Sequence, residues 1–229
     1  MSKVEKVPTG SFSPFYGCTI LIIGVLTFGG MVSWVLYSGY KQNQEIGLFT
    51  VDNPEPLPAP EISPEQKTSL QTKLRSFSEL ALLDKPTSLT LSVAELNVLV
   101  TLTAEAEVAD YRGIVLFTGI DPKSKELLAK LHWPMNKLSL KEDAKRYLVG
   151  DGTFIPFVDK GALELRIENV FVPGKPVSEG FLNNLRQWPW LNLAKTKTEI
   201  ADVLGKIKTI DFTPDGTALV LSTETPPAP

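Results

Sequence analysis

The sequence predicts an α+β protein with one N-terminal transmembrane helix and a mainly antiparallel, twisted sheet with helices packed on one face. The first observation behind this fold class is a long apolar run near the start of the chain. The second is a set of segments in which apolar and polar residues alternate, which favours an antiparallel sheet with one face in water. The third is a pair of helix-capping patterns, each followed by apolar residues at helical spacing.

Composition disfavours several classes of function. The 229 residues are 43% hydrophobic and 21% charged, as is typical of a folded protein, and the net charge is −3. Because no long basic run occurs, the electrostatic footprint of a nucleic-acid-binding protein is missing, and we predict no nucleic-acid partner. The single cysteine, Cys18, lies in the apolar run, so the rest of the chain contains no disulfide.

The apolar run predicts a transmembrane helix over residues 15–40. No residue between Lys6 and Lys41 is charged, and about 20 apolar residues suffice to cross a hydrocarbon core of about 30 Å. The alternative is a cleaved signal peptide, whose apolar core of about 7 to 15 residues ends at a small-residue site. This run is longer and no alanine precedes Ala59, so we predict an uncleaved anchor and an integral, single-pass membrane protein.

The charges on either side of the helix predict its orientation. Lys3 and Lys6 precede the helix, whereas five acidic and no basic residues lie between Lys41 and Lys67. Since basic residues tend to stay in the cytoplasm, residues 1–14 are predicted to be cytoplasmic and the C-terminal domain periplasmic or extracellular. Gly29 and Ser33 within the helix form a small-xxx-small pair, which leaves a homodimer open.

Residues 41–62 predict a proline-rich linker, because four prolines alternate with other residues from Pro54 to Pro60 and favour extended polyproline geometry. Such a spacer is semi-rigid and holds a domain away from the bilayer. The folded α+β domain is predicted over residues 63–224. Residues 225–229 are predicted to be a disordered tail.

Helices and strands follow in order through this domain. Capping boxes that begin at Ser63 and Ser92 open helices that end near Leu83 and Leu102. Two further helices are predicted, one after Ser178 and one over 197–205. The predicted strands are 88–91, 114–118, 126–135, 145–158 with a bend around Gly150-Asp151-Gly152, 162–172, and a closing hairpin of 207–213 and 217–222.

Chemically active residues do not form a recognisable catalytic pattern. His132 is the single histidine, and it lies on the polar face of a predicted strand. A metal centre needs three or four Cys, His or carboxylate ligands, so we predict neither a metal site nor a cofactor. The sequence has no Gly-x-Ser-x-Gly elbow and no phosphate-binding glycine loop. We therefore predict that the protein is not an enzyme, and a hydrolase that uses His132 is the remaining catalytic alternative.

Aromatic residues supply the candidate binding residues. Trp188, Trp190 and Leu191 follow an amphipathic helix and are suited to a membrane interface, a protein partner or an apolar pocket. The competing interpretation is burial in the core, where large aromatic side chains usually lie. Trp133, on the apolar face of its predicted strand, is a further candidate.

Two segments resemble small bacterial single-pass membrane proteins with an uncharacterised extracytoplasmic domain, of which YpmS-like proteins are an example. These segments are Leu89–Asn97, a strand that runs into a helix, and Val170–Val177, a strand that runs into a Gly-Lys-Pro turn. The resemblance implies a curved sheet that wraps a helix around an apolar cavity, and therefore a hydrophobic ligand. It also makes Asn97 a candidate ligand contact, although hydrogen bonding to neighbouring backbone is the alternative role.

Two hypotheses of function follow from these observations. In the first, the protein is a non-catalytic, membrane-anchored envelope protein whose outer domain binds a protein partner or helps to assemble an envelope complex. In the second, it is a tethered carrier or sensor of a lipid-like ligand. The second hypothesis requires a continuous apolar cavity of about 300 Å³ or more.

Overall fold

The computed structural model describes residues 14–105, 110–136, 145–159, 162–187 and 198–224. The chain divides into two compact units, Met1–Gln44 and Glu45–Pro229. The predicted tail, 225–229, lies outside the described residues, and so do residues 1–13 of the predicted cytoplasmic segment.

Helix α1 spans Pro14–Phe49 and accounts for the described part of the first unit. Within it, Gly17–Phe49 is long and apolar enough to cross a membrane, and the most apolar 18-residue window contains no buried residue. The helix confirms the predicted apolar segment. Its length and composition fit a membrane anchor and an N-terminal signal sequence alike.

Helix α1 ends nine residues beyond the predicted end at Tyr40, so the start of the predicted linker, 41–62, is helical. Phe49 is only 1% exposed, and its ring lies 4.9 Å from the ring of Phe181. Val51 then pairs with Tyr147 through two backbone hydrogen bonds of 2.9 and 2.7 Å. The extension was not predicted because charged residues at 41 and 45 interrupt the apolar run. Ile46 and Phe49 nevertheless continue the apolar face of the helix at helical spacing.

The proline-rich remainder of the predicted linker has no helix or strand, and it lies along the surface of the second unit. Ile62 packs against the hydrophobic core, and Leu57 is half-buried. Residues 57–60 form one side of a cleft whose other side includes Asn97 and Leu116. Residues 57–62 therefore contact the rest of the second unit, and the spacer role of the segment stays a prediction.

The second unit contains four helices and seven strands among its described residues. The helices are α2 (Pro64–Leu82), α3 (Val93–Glu105), α4 (Glu179–Arg186) and α5 (Thr198–Leu204). The strands are β1 (Ser88–Ser92), β2 (Val115–Asp121), β3 (Glu126–Asn136), β4 (Lys145–Asp159), β5 (Ala162–Phe171), β6 (Thr209–Phe212) and β7 (Ala218–Ser222). Each predicted helix and strand of the domain is present, with ends that differ by a few residues.

The strands form two antiparallel sheets, with the orders β2-β3-β4-β5 and β1-β7-β6. The α+β class is confirmed, but the prediction of one sheet is wrong. The division arises because β1 pairs with β7, with Leu89 opposite Leu221 and Leu91 opposite Leu219. Alternation within a strand indicates which of its faces is buried, and it contains no information about which remote strand it pairs with.

Both predicted capping boxes are present. The Ser63 hydroxyl accepts a hydrogen bond from the Gln66 amide at 3.2 Å, and the Ser63 amide donates to the Gln66 side chain at 2.8 Å. Ser92 and Glu95 make the same reciprocal pair, at 3.2 and 2.8 Å. Burial acts to raise the pKa of Glu95, but hydrogen bonds from Lys73 and Ser92 outweigh it and lower that pKa. The beginnings of α2 and α3 are therefore fixed by local sequence.

Candidate functional site

An apolar pocket lies between helix α3 and the two sheets of the second unit. Its lining comes from α3, from β1 and β7 of the three-stranded sheet, from all four strands of the larger sheet, and from Tyr111 just before β2. Its volume is about 170 Å³. This is less than the roughly 300 Å³ at the lower end of drug-sized ligand pockets, so the pocket does not support a carrier that encloses a whole lipid.

Helix α3 forms one wall of the pocket because four of its residues share one stripe. Leu96, Leu99, Val100 and Thr103 recur at the i, i+3, i+4 and i+7 positions, and all four line the pocket. Alternation in the strands supplies the facing walls. Every second residue of β1 is buried, Leu219 and Leu221 of β7 are buried two positions apart, and Leu91, Leu219 and Leu221 line the pocket.

The pocket has a buried floor and a half-exposed rim. Phe117 and Phe154 lie in the floor as an edge-to-face pair whose ring centroids are 6.0 Å apart. The rim is formed by the C-terminal half of α3, Tyr111 and the beginning of β5 at Leu163. Among the described residues, the lining is therefore most exposed at the end of α3 and the start of β5.

Polar side chains are scarce in this lining. Among the described lining residues, only Thr103, Tyr111 and Glu164 carry side-chain oxygen or nitrogen. The Thr103 hydroxyl donates to the Val100 carbonyl oxygen at 3.0 Å, and Glu164 pairs with Arg166 at 2.8 Å. Burial raises the pKa of the Tyr111 phenol, which therefore stays neutral at physiological pH. The pocket is suited to hydrocarbon.

The Asn97 side chain joins α3 to β2. Its amide nitrogen donates to the Phe117 carbonyl oxygen, and its amide oxygen accepts from the Phe117 backbone N–H, both at 2.9 Å. This pair joins α3 to β2, next to a register shift between Phe117 and Gly119. Asn97 therefore satisfies the backbone of an edge strand that also contributes Phe117 to the pocket floor.

Replacing Asn97 with alanine should lower the free energy of unfolding by about 2 kcal/mol, because two backbone groups of Phe117 lose their partner. Chemical denaturation of the full chain measures this change. Asn183→Ala is the matched control, since Asn183 is exposed and accepts a hydrogen bond from the exposed side of Arg186, and it should change stability by less than about 0.5 kcal/mol. Equal effects of the two substitutions would contradict the structural role of Asn97.

None of the other predicted binding residues that the structure describes lines the pocket. Trp188, Trp190 and Leu191 lie outside the described residues, so their role stays a prediction. Trp133 is half-buried on β3, opposite Leu148, and packs against the core without lining the pocket. Asn97 lines the neighbouring cleft beside residues 57–60 instead.

The apolar pattern of helix α3 is a sequence feature that could have indicated the pocket wall. Helix α3 is apolar on more than one side, with Val93, Val98 and Leu102 outside the pocket stripe of Leu96 and Leu99. A helix that is apolar nearly all round is usually enclosed between layers. That pattern places α3 in the interior, where a helix can line a cavity.

His132 lies half-buried on β3. Its ring stacks on Tyr147 at 4.8 Å, and its Nε2 atom is buried with no hydrogen-bond partner among the described residues. No group of three or more His, Cys, Asp or Glu residues with the geometry of a metal site occurs in the described parts of the chain. The contacts that the structure describes for His132 give no support to the hydrolase alternative.

In comparisons with protein-family models, curated proteins and solved structures, nothing matches this chain. The resemblance to YpmS-like proteins therefore stays a prediction. The apolar pocket and the apolar helix α1 are therefore the features of the molecule that bear on its function.

Proposed function

We propose that this chain is a non-catalytic, membrane-anchored protein whose outer domain binds the apolar part of a hydrophobic ligand. The observation that supports the proposal most is the pocket of about 170 Å³ between α3 and the two sheets, with its almost wholly hydrocarbon lining. Apolar surface in such a pocket gains about 25 cal/mol per Å² when a ligand covers it. Helix α1, with its unburied apolar window, supports the anchor.

The lining favours a hydrocarbon ligand over a peptide side chain. A protein partner that inserted a side chain would bring its own peptide N–H and C=O groups to the rim, where they need hydrogen-bond partners. Glu164 at the rim is paired with Arg166, and the Thr103 hydroxyl is bonded within α3. Binding of a protein partner, the first hypothesis from the sequence, stays a prediction that involves Trp188 and Trp190.

Orientation is part of the same proposal. Basic residues, Lys3 and Lys6, precede the helix, whereas the segment after Lys41 is acidic. This difference in charge supports an N-terminus in the cytoplasm and a second unit outside it. In this topology α1 is retained uncleaved as a single-pass anchor.

Photochemical crosslinking tests the proposed function. The full chain is reconstituted in lipid nanodiscs with a long-chain fatty acid that carries a diazirine at its chain end. We expect crosslinks on the pocket lining, such as Leu99, Val115 and Leu163, because the chain end reaches the floor between α3 and the sheets. Crosslinks confined to helix α1 would contradict ligand binding by the second unit.

A further inference from the structure

We propose that the pocket takes the terminal segment of one hydrocarbon chain, about six carbons long, and does not select among the polar head groups that such a chain carries. This inference rests on the proposed function and specifies its ligand class. It comes from three features of the site: its volume, the state of its polar groups and the balance of charge at its rim.

The volume sets the length of chain that fits. A cavity of about 150 Å³ lined by Leu, Ile and Phe side chains holds one benzene molecule, which has six carbons. At about 170 Å³, this pocket has room for a similar number of carbons. Any longer chain must leave the rest of its length outside the rim, so added carbons beyond that length gain little from the pocket.

Two polar side chains of the described lining, Thr103 and Glu164, are already engaged. The Thr103 hydroxyl donates within α3, and the Glu164 carboxylate accepts from Arg166, whose guanidinium also lies 4.2 Å from the centre of the Phe157 ring. A head group that competed for these atoms would have to break an existing contact. The pocket therefore recognises its ligand through burial of apolar surface.

Among the described residues, charged side chains next to the rim form pairs of opposite sign. Asp110 and Arg112 flank Tyr111 and are joined at 2.6 Å. Glu105, two residues after Thr103, pairs with Lys67 at 2.6 Å, and Glu164 pairs with Arg166. Each pair has one acidic and one basic member, so these six residues together have no net charge. The pairs are partly exposed and closely spaced, so physiological salt screens their field within about 8 Å, and they favour neither an anionic nor a cationic head group beyond the rim.

A competition experiment tests chain length and head group together. The full chain in nanodiscs is crosslinked with the chain-end diazirine probe, supplied either as a free fatty acid or as an acyl chain of a phospholipid. Unlabelled 1-alkanols from butanol to dodecanol compete at known free aqueous concentrations. Alkanoates and alkyltrimethylammonium ions of the same chain lengths provide the anionic and cationic head groups.

We expect the competitor affinity to rise by about fourfold for each added methylene up to about six carbons and then to level off. At equal chain length, the three head groups should agree within about threefold once screened by physiological salt. The two forms of the probe show whether the chain comes from free amphiphile or from bilayer lipid, and crosslinking of the lining by either form supports the inference.

Two results would overturn the inference and leave the proposed function standing. One is affinity that climbs steadily through dodecanol, and the other is a preference of more than about tenfold for one head-group charge at equal chain length. A different result separates the two proposals: if neither form of the probe crosslinks the lining at all, the proposed function itself fails.

Discussion

Replacing Phe49 with alanine should lower the free energy of unfolding of the second unit by about 3 to 5 kcal/mol. Phe49 is 1% exposed and packs on Phe181, so its removal leaves a cavity in addition to the lost transfer free energy. Chemical denaturation of the full chain in nanodiscs, followed by tryptophan fluorescence, measures the change. The result matters because Phe49 lies inside the segment that the sequence predicts to be a linker.

Leu48→Ala is the matched control, since Leu48 is next to Phe49 in the same helix but is 68% exposed. This substitution should change stability by no more than about 0.5 kcal/mol. A Phe49→Ala variant as stable as Leu48→Ala would mean that residues 41–62 behave as the predicted linker and that the domain begins after them.

Filling the pocket should abolish ligand binding while preserving the fold. Leu99 lines the pocket from α3, and tryptophan at that position places additional ring atoms in the empty volume. Since each methylene that the ligand can no longer bury costs about fourfold in affinity, Leu99→Trp should reduce crosslinking of the lining by at least about tenfold. Stability should hold or rise, because the added atoms fill a cavity instead of overpacking a full core.

Leu80→Trp controls for the effect of a new tryptophan, since Leu80 is 37% exposed on α2 and does not line the pocket. Crosslinking of this variant should match that of the wild-type protein, and denaturation should show that both variants are folded. Undiminished crosslinking of a folded Leu99→Trp variant would show that the ligand binds elsewhere.

The elements that the sequence predicted well are those with local signals. Ser63 with Gln66, and Ser92 with Glu95, fix two helix beginnings through bonds between residues three apart. Gly216, with φ at +68°, sits in the turn of the closing hairpin as the Pro-Asp-Gly sequence indicates. Each of these features depends on a few adjacent residues, which a single sequence displays directly.

The features that the sequence did not predict depend on remote contacts. The pairing of β1 with β7 divides the strands into two sheets, and Phe49 packs on Phe181, which follows much later in the chain. The pocket is the strongest example, because its lining includes residues as far apart as Leu91 and Leu221. In the sequence, each of these residues has the pattern of an ordinary core residue. The space among them arises only from the way α3 packs between the two sheets.

Native mass spectrometry of the full chain, wild type beside Leu99→Trp, tests the central claim most directly. The two proteins share helix α1, so lipid that adheres to the apolar helix contributes equally to both spectra. We predict a bound amphiphile on the wild-type protein that the variant lacks, with a mass that identifies the ligand. Identical adducts on both proteins, or none on either, would contradict the claim that the space between α3 and the two sheets is a site for hydrocarbon.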